Sequence, residues 1–307
     1  MRKLLKNLLL SLPFLNKYAR NYFELVSSVG FYKPGHFYNP IPDIVEVERN
    51  ANRIFSEKVL ADVELNTAEQ LQLLEKFGLL YPEYPYFTSN NGGHAYRYRN
   101  TSTYYNDSDS IFLYSILRHF QPAKLIEVGS GDSSALMLDI NDRFLGKNAK
   151  MTFIEPFPEE RLLKILSDED QKMHEVMKHF VQDVSLEKFK ELGKNDILFI
   201  DSSHVSKVGS DLNYLIFEVL PILQSGVLIH FHDIYFPFEM PKHWITEYGY
   251  FWNENYLLHA FLMNNNDYKI IAFNTYLHKI NREFFDNHMP YCLKNERNCG
   301  SIWLQKN

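Results

Sequence analysis

Only two cysteines, Cys292 and Cys299, occur among 307 residues, and both lie near the carboxyl end. That excludes a disulfide framework and sets a reducing, cytoplasmic compartment as the expectation. The chain also has no basic excess: 32 Lys and Arg stand against 38 Asp and Glu, for a net charge of −6. Binding to a phosphate backbone regardless of sequence needs a cationic footprint, so nucleic acid is excluded as a partner class. No apolar run has the ~20 residues of a transmembrane helix. What is present is a 45% hydrophobic, 15% aromatic chain, a globular composition that excludes disorder. Its length accommodates one large α/β domain with an appendage, or two modest domains.

Residues 1–15, MRKLLKNLLLSLPFL, begin basic and run into leucines as a secretory signal does, but Lys6 and Asn7 interrupt the run and no small-residue cleavage site follows. Leu4, Leu5, Leu8, Leu9 and Leu12 fit a 3.6-residue period with Lys3, Lys6 and Asn7 opposite. The expectation is an amphipathic helix that docks on the protein or lies on a membrane surface, with docking the default.

Residues 1–105 read as a helical and loop-rich lobe. Helical spacing runs from about Pro42 to Phe55 and from Thr67, as N-cap, to Leu80. The segments KPGHFYNPIPD (33–43) and YPEYPYFTSNNGGHAYRYRN (81–100) hold too much Gly, Pro and Asn for regular structure, while their aromatics would be wasted in a solvated linker. They read as a lid or as packing, with His36, Tyr38, His94, Tyr96 and Arg97 roofing a pocket together with the aromatic stretch 237–252.

Residues 106–307 alternate helical with short apolar segments: strands KLIEV (124–128), MTFIE (151–155), HFVQ (179–182), DILFI (196–200) and GVLIHF (226–231), then YKIIAF (268–273) and SIWLQ (301–305). Each parallel pair needs a crossover, so the pattern implies a doubly wound, Rossmann-like α/β sheet with helices on both faces. Function is then expected at the carboxyl ends of the strands.

The first strand runs into Glu127-Val128-Gly129-Ser130-Gly131-Asp132-Ser133-Ser134. Two glycines between strand and helix let the backbone approach a nucleotide-like ligand, but Ser134 replaces the third glycine of the dinucleotide fingerprint. Glu127 would repel a pyrophosphate and attract an ammonium, so a phosphate-free cofactor is favoured over NAD. Glu155 and Asp183 end the next two strands, where acceptors suit a ribose diol and an adenine edge.

The glycine loop, Glu155 and I-D-S-S-H at Ile200 to His204 resemble a class I S-adenosylmethionine-dependent methyltransferase, over about residues 105–305. The nearest kinds suggested are metal-dependent small-molecule O-methyltransferases, including those acting on sugars. The resemblance implies a seven-stranded sheet whose last strand, SIWLQ, inserts antiparallel beside the fifth. It also implies a cofactor site of Glu127, Gly129, Ser130, Gly131, Glu155, Asp183 and Asp201.

A second cluster pairs Asp201-Ser202-Ser203-His204 with His230-Phe231-His232-Asp233 on the neighbouring strand. Strand alternation puts His230 and His232 on one face. Asp201, His232 and Asp233 form a candidate divalent-metal site for Mg²⁺ or Mn²⁺, although the resembling enzymes usually carry an acidic residue where this chain has His232. His230, deeper in the strand, reads as a hydrogen-bonded core residue. His204 and Asp201 are the candidate catalytic residues, His204 as general base or, equally, as bystander.

The sequence thus reads as an amino-terminal lobe (1–105) and an S-adenosylmethionine-dependent O-methyltransferase domain (106–307) acting on a hydroxyl of a sugar, glycoconjugate or other small molecule. An inactive adenosine-binding module with a scaffold role in glycan assembly is the alternative. Retention of Asp201, His204 and Asp233 at one rim favours catalysis.

Overall fold

A computed structural model describes residues 9, 11–12, 15–20, 30–60, 62–87, 96–99, 105 and 107–307. Most of the expected amino-terminal amphipathic stripe, and His94, lie outside them. No helix among the described residues is long and apolar enough to cross a membrane. The chain divides into two units, residues 1–56 with 242–251, and residues 57–241 with 252–307.

In the smaller unit Asp43 caps the helix Ile44–Arg49 by accepting from the amides of Val45 and Glu46. The helix Lys242–Thr246 belongs to the same unit, tied by a 2.8 Å ion pair from Lys242 to Glu48. Trp244 and Tyr250 pack edge to face at 5.5 Å, so these aromatics have partners within their own unit.

The larger unit is built on seven strands: β1 (Lys124–Val128), β2 (Lys150–Ile154), β3 (Glu175–Met177), β4 (Ile197–Ile200), β5 (Leu228–His232), β6 (Tyr268–Phe273) and β7 (Ser301–Lys306). Their order is β3-β2-β1-β4-β5-β7-β6. The first five are parallel, and β7 runs antiparallel between β5 and β6, as the resemblance implied for SIWLQ. Alternation along each strand separates two cores. Phe153, Phe199 and Trp303 face one side, and Val128, Ile200, Phe231 and Ile302 the other.

The expected boundary at residue 105 is displaced to residue 56. Helix α1 (Thr67–Leu80) buries Leu73, Leu74 and Phe77 in the same core as α2 (Asp107–Phe120), so residues that read as a separate lobe are part of the sheet's packing. Thr67 is its first residue rather than its cap, which is Asn66. The third strand also differs from expectation. The edge strand pairs Glu175, Val176 and Met177 with Thr152, Phe153 and Ile154, and HFVQ has already left the sheet. Phe180 there is exposed and meets Phe157 edge to face at 6.0 Å.

Candidate functional site

The rim at the carboxyl ends of β1, β2, β4 and β5 carries two adjoining cavities of about 390 and 310 Å³. Gly129, Arg161, Asp201, Ser202 and Ser203 line both. Gly129 joins the two strands that make this possible. Its φ is +80°, and a Cβ there would stand 1.9 Å from the carbonyl oxygen of Asp201, so the close approach of the β1 and β4 loops requires glycine. The α3 helix (Asp132–Phe144) starts directly after the loop.

Glu155 lines the first cavity, accepting from the amides of Ser130 (3.1 Å) and Phe157 (2.9 Å). Its carboxylate is thereby fixed against the glycine loop, and each oxygen keeps a further lone pair for a ligand hydroxyl. Ser130 and Gly131 line the second cavity.

Two expected cofactor residues lie elsewhere. Glu127 is fully buried and lines neither cavity; it accepts from Ser133 Oγ (2.6 Å) and Ser134 Oγ (2.5 Å) under the start of α3. Burial pushes its carboxyl up to about 8 against the pull of those hydroxyls. It organises the loop from beneath and is not exposed to a ligand's ammonium. Ser134, where a dinucleotide fold has glycine, is thus a tether for Glu127. Asp183 is exposed and ends a 3-10 turn, Val181–Asp183, because the strand stops at Met177. Its neighbour Gln182 lines the cavity instead.

The second cavity holds the catalytic candidates. His204, 7% exposed, donates or accepts through Nδ1 at 2.7 Å from Oε2 of Glu254, while its Nε2 faces Asp201 Oδ1 at 3.4 Å and Asp233 Oδ2 at 3.7 Å. Trp252 lies against the imidazole at 4.3 Å between centroids. Glu254 opens helix α4 (Glu254–Leu262), and the amides of Asn253 and Glu254 both donate to the carbonyl of His204 at 3.2 Å. The next residue, Asn255, donates to the carbonyl of Asp233 and accepts from the amide of Tyr235. One helix start therefore holds both loops. His204 (φ +60°) and Asp233 (φ +56°) each adopt the left-handed conformation that non-glycine residues avoid, and these contacts retain them in it.

Electrostatics follow from burial among opposite charges. Burial disfavours a charged His204, but hydrogen bonding to Asp201 and Glu254 and the nearby Asp233 hold its proton well above the usual imidazole range. Burial likewise opposes ionisation of Asp201, yet His232 and His204 draw it down to about 2. His232 is pushed up to about 9 by Asp233, Asp201 and Asp109 in spite of its burial. Asp233 and Glu254 are raised by burial, partly offset by the same histidines.

Asp201, His232 and Asp233, the expected metal site, all line the second cavity. Among the described residues no three His, Cys, Asp or Glu side chains are gathered so as to hold a metal ion. Asp201 and Asp233 instead converge on imidazole, and an imidazole that retains its proton donates no lone pair to a cation. His230 is a core residue, as expected, but it is not hydrogen-bonded within the described residues. It lies between Phe199 (4.0 Å, 19°) and Trp303 (4.5 Å), and burial holds it neutral.

Arg97 and Tyr96 do not roof the pocket. The Arg97 guanidinium is bound by Asp139, Asp142 and Asp170, and Tyr96 packs under Arg143. Sequence reasoning missed Glu254, Trp252, Arg161 and Gln182. Only Trp252 carried a prior signal, as the end of the aromatic stretch 237–252.

Residues 126–234 match the family model described as a methyltransferase domain. An uncharacterised protein of Archaeoglobus fulgidus is 33% identical over 171 residues, 54% of this chain and 76% of its own length. Among solved structures, the S-adenosylhomocysteine-bound methyltransferase PaMTH1 of Podospora anserina is 12% identical, with 86% of this chain and 94% of that one covered, at a TM-score of 0.42. The O-methyltransferase TomG of Streptomyces achromogenes, involved in tomaymycin synthesis and solved with S-adenosylmethionine, is 13% identical over 85% and 96%, at a TM-score of 0.41.

Proposed function

We propose that the chain is a class I S-adenosylmethionine-dependent methyltransferase and that it methylates a hydroxyl group of a sugar, glycoconjugate or other polyhydroxylated small molecule. The observation that carries this reading is the position of His204 Nε2 on the second cavity, between Asp201 and Asp233, with Nδ1 tied to Glu254. An amine attacks as a neutral nucleophile without first losing a proton. A hydroxyl needs a base, and a buried imidazole oriented by a carboxylate is that base.

Bound S-adenosylmethionine supplies an electrophilic methyl group on a sulfonium centre. The chain's part is to align the acceptor and take its proton. Glu155 and the Gly129 to Gly131 loop orient the ligand in the first cavity, which opens past Asp201 into the second. Such alignment is worth on the order of 7 kcal/mol or more. Trp252 and Tyr105 give the second cavity aromatic walls that limit water. The hydroxyl proton passes to Nε2 of His204, and Glu254 keeps that nitrogen aimed at the cavity and balances the charge formed. In the resting site the carboxylates hold a proton on His204. With the positive charge of bound S-adenosylmethionine near Asp201 the carboxylates favour the imidazolium less, and His204 releases its Nε2 proton to solvent before transfer, which leaves that nitrogen free to act as the base.

The test is transfer of a labelled methyl group to a panel of monosaccharides, glycosides and phenols by the full chain, with and without a chelator. The expected product is an O-methyl ether, formed equally with chelator present and reduced about 100-fold or more in His204→Ala. Label on nitrogen, or transfer indifferent to His204→Ala, contradicts the reading.

A further inference from the structure

The smaller unit is charged unlike the rest of the chain. Of the 32 Lys and Arg and the 38 Asp and Glu, residues 1–56 with 242–251 hold nine and five, a net +4 within a chain of net −6. The excess lies at the start, where Arg2, Lys3, Lys6, Lys17, Arg20 and Lys33 stand against the single acid Glu24.

The same stretch exposes apolar side chains. Residues 16–20 are helical, and the amides of Asn16 and Ala19 donate to the carbonyls of Leu12 and Leu15. Ala19 is buried, whereas Leu12, Leu15 and Tyr18 are exposed, so the expected docking of the leucine stripe on the protein is not met at Leu12. A loop farther along holds an aromatic cluster. Tyr32 and Phe37 both stack on His36, at 4.3 and 4.4 Å, with Phe31 edge-on to Tyr32 and Tyr38 against Phe37. Asn39 fastens the loop by donating to the Tyr32 carbonyl and accepting from the Ile41 amide, and the Gly35 amide donates to the Ile41 carbonyl. The rings are thus ordered by their own contacts, yet Phe31 is 88%, Phe37 82% and Tyr38 66% exposed. Ordered apolar rings left facing water mark a surface that another body covers.

We infer that Leu12, Leu15 and Tyr18, together with the aromatic loop of residues 31–38, dock the smaller unit on an anionic lipid bilayer. Charge selects this occupant. Phosphate headgroups attract Lys and Arg, and the interfacial layer takes up leucine, phenylalanine and the phenol of tyrosine, whose apolar body and polar tip suit its gradient. A protein of evenly spread charge −6 would be repelled from such a surface. Gathering cations into the unit that bears the exposed rings removes that repulsion where contact is made.

The test is co-sedimentation of the full chain with vesicles of phosphatidylcholine alone and of phosphatidylcholine with about 30% phosphatidylglycerol. Binding to the anionic vesicles is expected to be about 10-fold or more tighter than to the neutral ones, a difference that about 0.5 M NaCl abolishes. Phe31→Ala combined with Phe37→Ala, both at exposed side chains, weakens binding to anionic vesicles about 10-fold or more through lost apolar burial. Lys17→Glu combined with Arg20→Glu weakens binding to the anionic vesicles and leaves the neutral ones unchanged. Sedimentation velocity without lipid covers the rival occupant, a second copy of the chain: a parent dimer that the phenylalanine substitutions dissociate overturns the inference. A parent that binds neither vesicle, equal affinity for both, or combined variants that bind as the parent does overturn it as well.

Discussion

His204 Nδ1 and Glu254 Oε2 meet at 2.7 Å, both side chains buried, at the point where helix α4 begins. They are 50 residues apart in the chain. The contact gives the imidazole one fixed orientation and leaves Nε2 to the cavity.

That relationship has a spectroscopic signature. The ring nitrogens of His204, followed by ¹⁵N NMR across pH, are expected to hold their proton well above the ordinary histidine range, because Glu254, Asp201 and Asp233 favour the imidazolium. In Glu254→Gln the midpoint moves back toward that range while the chain stays folded. A midpoint unmoved by the substitution contradicts a positioning role for Glu254.

Gly129→Ala tests the loop crossing. With φ at +80° and a Cβ 1.9 Å from the Asp201 carbonyl oxygen, the added methyl cannot be accommodated without separating β1 from the β4 loop. A loss of about 3 kcal/mol or more is expected from strain and overlap together. Urea unfolding measures it, and a variant as stable as the parent contradicts the described backbone.

Glu127 sets a pH dependence of stability. Its carboxyl titrates near 4.5 when unfolded and near 8 when buried beneath α3. Between those values the folded chain keeps a proton the unfolded chain has released. Its contribution to stability is therefore complete at low pH and declines as pH rises toward 8. Urea midpoints compared between pH 5 and pH 8 should fall less in Glu127→Gln than in the parent, since glutamine does not titrate. Parallel slopes in the two proteins contradict the assignment.

The sheet was legible because each strand is short, apolar and followed by a turn signal, and because parallel strands must be separated by crossovers. Where an aromatic run and a real strand competed, the sequence misled. HFVQ carries the aromatic residue, but Glu175 to Met177 is what pairs with β2, in register with Thr152 to Ile154. Asp183 was misplaced for the same reason. The rim residues on β4 and β5 were legible from strand alternation, and so were Gly129 and Glu155 from their positions after β1 and β2. Glu254 was not, because nothing in N-E-N-Y-L marks a carboxylate that will be folded against a histidine from a distant loop. Arg161 was hidden similarly, as one charge in an ordinary helical segment. At the metal candidates the residue types were legible, but not the His204 imidazole placed beside the two carboxylates.

The central claim is that the rim between Glu155 and His204 holds an adenosine-linked methyl donor. Calorimetry of S-adenosylhomocysteine with the parent chain, Glu155→Ala and Asp183→Ala tests it most directly. The account predicts one site in the parent, affinity about 10-fold or more weaker in Glu155→Ala through the lost ribose acceptor, and no change in Asp183→Ala, whose side chain is exposed and off the cavity. No binding by the parent, or equal affinity in Glu155→Ala, would contradict it.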